Sequence, residues 1–198
     1  MKTLKYVSLL IFFLFLVVSN GMALFSFSGY SLLSNTTSHL GAKGSPNSWV
    51  MNSVFVALGT MAILVTFHTG VRYHQIVGAI FGLSLVMTGF FQHAPLIQSM
   101  SVNQLEDQIH SIFAGITGFS FTILAVDHTF ISSGSQRTAG IIMAIVAIVI
   151  SLAMMNFPAI MGLLQRVMFV SAFGWLFFFL KTPNGTQVFK NPNFDRIS

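Results

Sequence analysis

Glu106, Asp107 and His110 are the residues of this chain whose types and spacing could do chemistry. Glu106 and His110 are four apart, which on a helix places them on one face. A carboxylate beside an imidazole suits proton transfer, or the holding of a polar ligand. The three head a run of eighteen uncharged residues, Ile109 to Val126 with His110 counted as neutral. A run that long reads as a membrane helix, and acidic residues at its start suit the positive end of the helix dipole. The other charge within an apolar span is Arg166. An unpaired Arg below the membrane surface costs roughly a few kcal/mol, so Arg166 is expected to meet Glu106 or Asp107. Asp127 lies twenty residues beyond Asp107, about 30 Å along a helix, and cannot serve.

His39, His93 and Gln165 fall at the same membrane face by topology. With Glu106, Asp107, His110 and Arg166 they make a candidate ligand-binding set. Three helix amino termini converge at that face, and with Arg166 they form a seat for a phosphate or carboxylate headgroup. The structural alternative is a buried ion pair that fixes the register of two helices. The histidines and carboxylates have the right types for a metal, but no His-Glu-x-x-His spacing occurs, so no metal site and no cofactor is assigned. At the opposite face stand His68, Arg72, His74, Asp127, His128 and Arg137. These read as a solvated rim; the sharper alternative, a His pair ligating haem, is weakened by their place at span ends.

The composition decides the class of protein. Charged residues make up 7% of the 198 and apolar residues 54%, against about a quarter charged in soluble domains. So much hydrocarbon needs the bilayer as solvent. The expected architecture is all-α, a six-helix transmembrane bundle, with spans at 6–27, 49–67, 75–91, 109–126, 138–157 and 160–180. A membrane domain over 1–181 is followed by a polar tail at 182–198. The first span follows Lys2 and Lys5 and has a signal peptide as its rival reading, because Gly21-Met22-Ala23 resembles a cleavage site. It continues past that point and is expected to be retained. Ser28 to Ser48 is a long polar loop holding six Ser and three Gly, a length that marks loops as functional or disordered. Ser45 to Ser48 offers capping side chains, and Trp49 and Trp175 are expected as interfacial anchors.

The net charge of +5 is topology information. Lys2, Lys5, Arg72, Arg137, Lys181, Lys190 and Arg196 fall at one face, and Lys43 stands alone in the loops of the other. That bias predicts that both termini face the cytoplasm. Cysteine is absent, which excludes disulfides and thiolate chemistry. No nucleophile motif, phosphate loop or dinucleotide fingerprint is present, and nothing points to nucleic acid.

The run Ser38-His39-Leu40-Gly41-Ala42-Lys43-Gly44-Ser45-Pro46-Asn47-Ser48-Trp49-Val50-Met51-Asn52 carries a resemblance. So do His110 at the head of the fourth helix and Gly162-Leu163-Leu164-Gln165-Arg166 opening the sixth. In these the chain resembles the bacterial and archaeal membrane family catalogued as domain of unknown function 998, over nearly its whole length. The resemblance implies six helices with the first retained. Members tend to carry an acidic residue where this chain has Gln92-His93. More distantly, the layout is similar to a six-helix family of eukaryotic lipid-remodelling and lysosomal membrane proteins, an analogy that leans toward lipids.

Three functions follow as expectations. The first is binding of a lipid headgroup or small anionic amphiphile in an outward-facing polar pocket of a cell-membrane protein. The second is a membrane-embedded hydrolase or transferase acting on lipid esters or phosphoesters, with Glu106 or His110 as acid–base groups. The third is an accessory or scaffold subunit with a partner protein. Binding is preferred over catalysis.

Overall fold

Apolar sequence leaves the backbone no water to bond with, so the chain closes its hydrogen bonds within helices. The computed structural model describes residues 2–97 and 100–180. The expected tail at 182–198, with Lys190 and Arg196, lies outside the described residues, as does Lys181. The helices are α1 (Lys2–Gly21), α2 (Thr37–Leu40, a single turn), α3 (Ser48–Phe67), α4 (Arg72–Phe90), α5 (Gln104–Ile131), α6 (Gly134–Asn156) and α7 (Met161–Gly174). A π-helical turn at Trp175–Phe179 prolongs α7. Six of these segments are long and apolar enough to cross a membrane, and the chain is a multi-pass membrane protein.

Each long helix packs on its neighbour in sequence, and α1 closes the ring by lying against α3 and α7. Phe15, Phe55, Phe81, Phe121, Phe169 and Phe173 fill the centre with edge-on and tilted ring contacts, an arrangement favoured by the ring quadrupoles. The Phe15 side chain is fully buried, so α1 forms part of the core. An even number of crossings puts the Ser28–Asn47 loop, the α4–α5 loop and the α6–α7 turn at one end of the bundle, here the loop end. The described start of the chain, the short turns after α3 and α5, and the π turn lie at the other end.

The α3–α4 contact is the tightest. A Cβ on Gly82 would strike the carbonyl of Gly59, and a Cβ on Gly59 the carbonyl of Gly82, so only hydrogen at both positions lets the two backbones meet. A Cβ on Gly78 would strike the Thr66 side chain of α3, a further point of close approach.

Several local expectations change. The helix that carries the fourth span, α5, runs from Gln104 to Ile131, beyond the apolar stretch 109–126 at both ends. At 28 residues, about 42 Å, α5 outreaches a hydrocarbon core of about 30 Å. Asn47 precedes α3 with φ at 55°, a left-handed conformation open to Asn, and its side chain makes no cap bond. Trp49 is exposed as an anchor should be, whereas Trp175 is buried against Phe121 and His128.

Candidate functional site

The loop end is built on α7. The sequence Gly162-Leu163-Leu164-Gln165-Arg166 presents bare backbone at Gly162, where a Cβ would strike the carbonyl of Asn35. The loop therefore lies directly on the helix, and the amide of Leu163 donates to the carbonyl of Leu33 (3.0 Å). Arg166 then ties three parts of the chain together. Its Nε and Nη2 donate to the carbonyl of Ser19 (3.2 and 3.1 Å) in the last turn of α1, the negative end of that helix dipole. Its Nη1 donates to the carbonyls of Leu32, Asn35 and Gly162 (3.1, 2.8 and 2.9 Å). Nη2 also donates to the Tyr30 hydroxyl at 2.6 Å.

This corrects the expected pairing. Arg166 makes no ion pair with Glu106, Asp107 or any other carboxylate among the described residues. A guanidinium has five N–H donors, and every donor nitrogen here is engaged by oxygen. Carbonyl dipoles satisfy the cation, so no carboxylate is needed. Burial pushes the Tyr30 phenol above its usual range, with Arg166 acting in the opposite sense. Tyr30 stays protonated and donates to the carbonyl of Thr36 (3.0 Å) while accepting from Arg166.

The carboxylates act elsewhere. Glu106 Oε1 accepts from the amide of Gln92 (3.2 Å), and Asp107 Oδ1 accepts from the amide of Ala94 (2.7 Å). Asn103 caps α5 by accepting from the amide of Glu106, the capping bond of a helix start. The first turn of α5 thus clamps the chain leaving α4. His93 sits between the two amides, with its Nδ1 3.8 Å from Asp107 Oδ1.

The structure does bring the three histidines together. The ring centroids of His39 and His93 are 5.0 Å apart, and those of His93 and His110 are 5.5 Å apart. His39 Nδ1 accepts from the amide of Thr36 (3.2 Å) and faces the Asn35 amide nitrogen at 3.1 Å, so its ring proton belongs on Nε2. His110 Nδ1 donates to the carbonyls of Phe91 (2.7 Å) and Thr88 (3.1 Å), which leaves its Nε2 with a lone pair. Burial drives His39 down to about 4, helped by His93, His110 and Arg166 nearby. No group of three or more His, Cys, Asp or Glu among the described residues is arranged to hold a metal ion.

Gln165 supplies the remaining link. Its Oε1 accepts from the amide and the hydroxyl of Thr37 (both 2.7 Å), pinning α2 over α7. Gln165 and Ser38 also line a cleft of about 780 Å³ that runs down the loop-side half of the bundle between α5, α6 and α7. Phe81, Phe121 and Ala172 lie toward its inner end, Thr88 borders it from α4, and Met154, Met155, Met161 and Met168 line its flank. Gly115 and Gly118 border it where a Cβ would meet nothing within 4 Å. Phe119 and Met155 are exposed at its rim, so the cleft opens sideways.

Sequence reasoning missed Tyr30, Asn35 and Asn52. The Asn52 amide on α3 donates to the carbonyl of Gly41 (3.1 Å), and only the motif Ser38 to Asn52 signalled it. At the opposite end, His74 and His128 are not rim residues: both side chains are fully buried, their rings 5.4 Å apart. α5 overruns its apolar stretch, which sets His128 about one turn from its end, and His74 is buried within the first turn of α4.

Removing the guanidinium should cost far more than breaking a surface contact. Arg166→Ala takes a donor from four loop and helix carbonyls and from the Tyr30 hydroxyl, each loss worth about 1–3 kcal/mol where no other donor replaces it, and unfolding in detergent should shift accordingly. Arg166→Lys, with three donors, should recover part of this. Asp107→Asn combined with Arg166→Ala should be additive within about 0.5 kcal/mol; strong coupling would restore the ion pair.

The linkage at His39 has a definite sign. The unfolded imidazole titrates near 6.5 and the folded one near 4, so the unfolded chain binds the proton more readily. Stability is complete above about pH 6.5 and declines as pH falls toward 4. The melting temperature should be lower at about pH 5 than at pH 7, and His39→Gln should reduce that difference; an unchanged difference would count against it.

No curated protein and no solved structure shows a significant match to the chain. The family described as "Protein of unknown function (DUF998)" matches residues 7–180. That span takes in the Ser28–Asn47 loop, the histidine row, the cleft and the Gly162–Arg166 motif, and the chain belongs to the DUF998 family.

Proposed function

We propose that this protein binds a membrane amphiphile, with its hydrocarbon part in the cleft between α5, α6 and α7 and its polar head beneath the Ser28–Asn47 loop. The cleft carries this reading. Its volume of about 780 Å³ falls within the range of about 300–1,000 Å³ typical of ligand sites. Four methionines give its wall the adaptable apolar surface that suits hydrocarbon of varied shape. The head is uncharged and hydrogen-bonding rather than anionic, because Arg166 is spent on carbonyls and His39 is neutral near pH 7. Ser38 and the Gln165 amide nitrogen are available to meet it.

Catalysis on the bound molecule is the second reading, favoured by the uncommitted Nε2 of His110 close above Thr88, which borders the cleft. Such an imidazole can act as a general base. Lipid extracted from protein purified in mild detergent tests both readings. The wild type should retain a stoichiometric amphiphile, and Gly118→Phe, which fills the cleft, should lower occupancy at least about tenfold. An empty wild type, or equal retention in the variant, overturns binding. A ligand cleaved in wild type and intact in His110→Gln supports catalysis; identical molecules in both count against it.

We also infer that the loop end faces away from the cytoplasm. Lys5, Arg72 and Arg137 lie at the opposite end and Lys43 alone in the loops of this one, the bias that sets membrane topology. The chain has no cysteine, so single replacements report cleanly. In intact cells an impermeant maleimide should label Ser101→Cys and spare Ser135→Cys; the reverse pattern inverts the topology.

A further inference from the structure

A second polar cluster lies at the end remote from the loop, where α4, α5 and the π turn meet. His74 on α4 is fully buried, and neither ring nitrogen has a hydrogen-bond partner among the described residues. Its Nε2 lies 3.8 Å from Asp127 Oδ2 on α5, itself a buried oxygen without a partner. The His128 ring packs 5.4 Å from that of His74, and the Trp175 ring 5.4 Å from that of His128 in a T-shaped contact. The indole nitrogen of Trp175 is likewise buried and unpaired. An unbonded buried polar group costs about 1–3 kcal/mol, so several in one cluster call for an explanation.

We propose that His74 and Asp127 form a binding site for one proton, taken up from the aqueous phase at this end through the partly exposed Asp127 carboxylate. The charge balance drives the uptake. Without the proton, a neutral imidazole and a carboxylate place one net negative charge in an apolar surround. With the proton on His74 Nε2, an imidazolium faces the carboxylate and the pair is neutral overall. An opposite charge at this separation favours the charged imidazole. Closing the gap from 3.8 Å to the roughly 2.7–2.9 Å of a charge-assisted hydrogen bond draws α4 and α5 together.

The surroundings leave His74 as the counterion. Arg72 and Tyr73 precede it on α4, His68 ends α3, Lys5 and Tyr6 lie on α1, and Arg137 begins α6. Among the described residues none of them pairs with Asp127. His128 is engaged by the Ser132 hydroxyl (3.1 Å to Nε2) and by the Gln136 side chain. The three acid and imidazole groups are not arranged to hold a metal ion, which leaves the proton as the ligand that the pair fits.

Trp175 reports the event from within the protein. The chain has two tryptophans, so Trp49→Phe isolates the Trp175 fluorescence in full-length protein held in lipid nanodiscs. Titration between about pH 4 and 9 should give one transition in its emission, as a cation forms near the indole. The transition should vanish in His74→Gln and persist in His128→Gln. In the isosteric Asp127→Asn it should move to lower pH by about one to three units, because the attraction favouring the imidazolium is gone. A flat profile in the Trp49→Phe parent overturns the proposal without reliance on any variant of the cluster. So does a transition that survives in His74→Gln, is lost in His128→Gln, or is unmoved in Asp127→Asn.

Discussion

The loop end of this protein depends on one buried cation neutralised by backbone. A guanidinium in an apolar bundle is tolerable only when every N–H finds oxygen, and Arg166 finds oxygen from α1, from the Ser28–Asn47 loop and from its own helix. The partners come from segments far apart in sequence, so the side chain decides where the loop lies. Once it is fixed, Gln165 can hold Thr37 and Asn52 can hold Gly41. His39 then comes against His93 and His110. The polar roof over the cleft follows from that single residue.

The two ends of the bundle treat polar groups in opposite ways. At the loop end, most amides and carbonyls are matched: Glu106 and Asp107 take the amides of Gln92 and Ala94, and His110 gives its proton to Phe91 and Thr88, with the Ser26 hydroxyl a buried exception. At the other end, His74, Asp127 and Trp175 keep unpaired atoms in the interior. Matched groups rigidify and specify a structure, while unmatched ones leave free energy to be gained by a small ligand or a small movement. On the proposed reading the loop end is a scaffold and the other end a responsive element.

What could be read from the sequence was whatever depends on hydrocarbon. Six spans and the packing of the first helix through Phe15 follow from the spacing of apolar residues. The polar contacts were less legible for two physical reasons. Ionisable side chains are visible in a sequence and backbone carbonyls are not, so a carboxylate was sought for Arg166 where Ser19, Leu32 and Asn35 supply main-chain oxygen. Hydropathy also marks only the oily part of a helix. With α5 running to Ile131, Asp127 and His128 lie within it rather than at its rim. The histidine row was foreseen as a set of residues but not as a row, since His39 reaches it through a loop whose path only Arg166 determines.

The helices are unequally held. α3 and α4 meet backbone to backbone at Gly59 and Gly82, whereas the buried residues of α6 are Gly140, Met143, Ala144 and Ala147, all in its middle turns. From Ile148 to Asn156 the helix has no buried side chain, and that stretch forms one wall of the cleft. α6 is thus packed into the bundle along its middle turns, and its last turns stand between the cleft and the bilayer with no fully buried side chain. On the proposed reading, a molecule dissolved in the bilayer meets the cleft along this lightly packed wall and needs no passage through water.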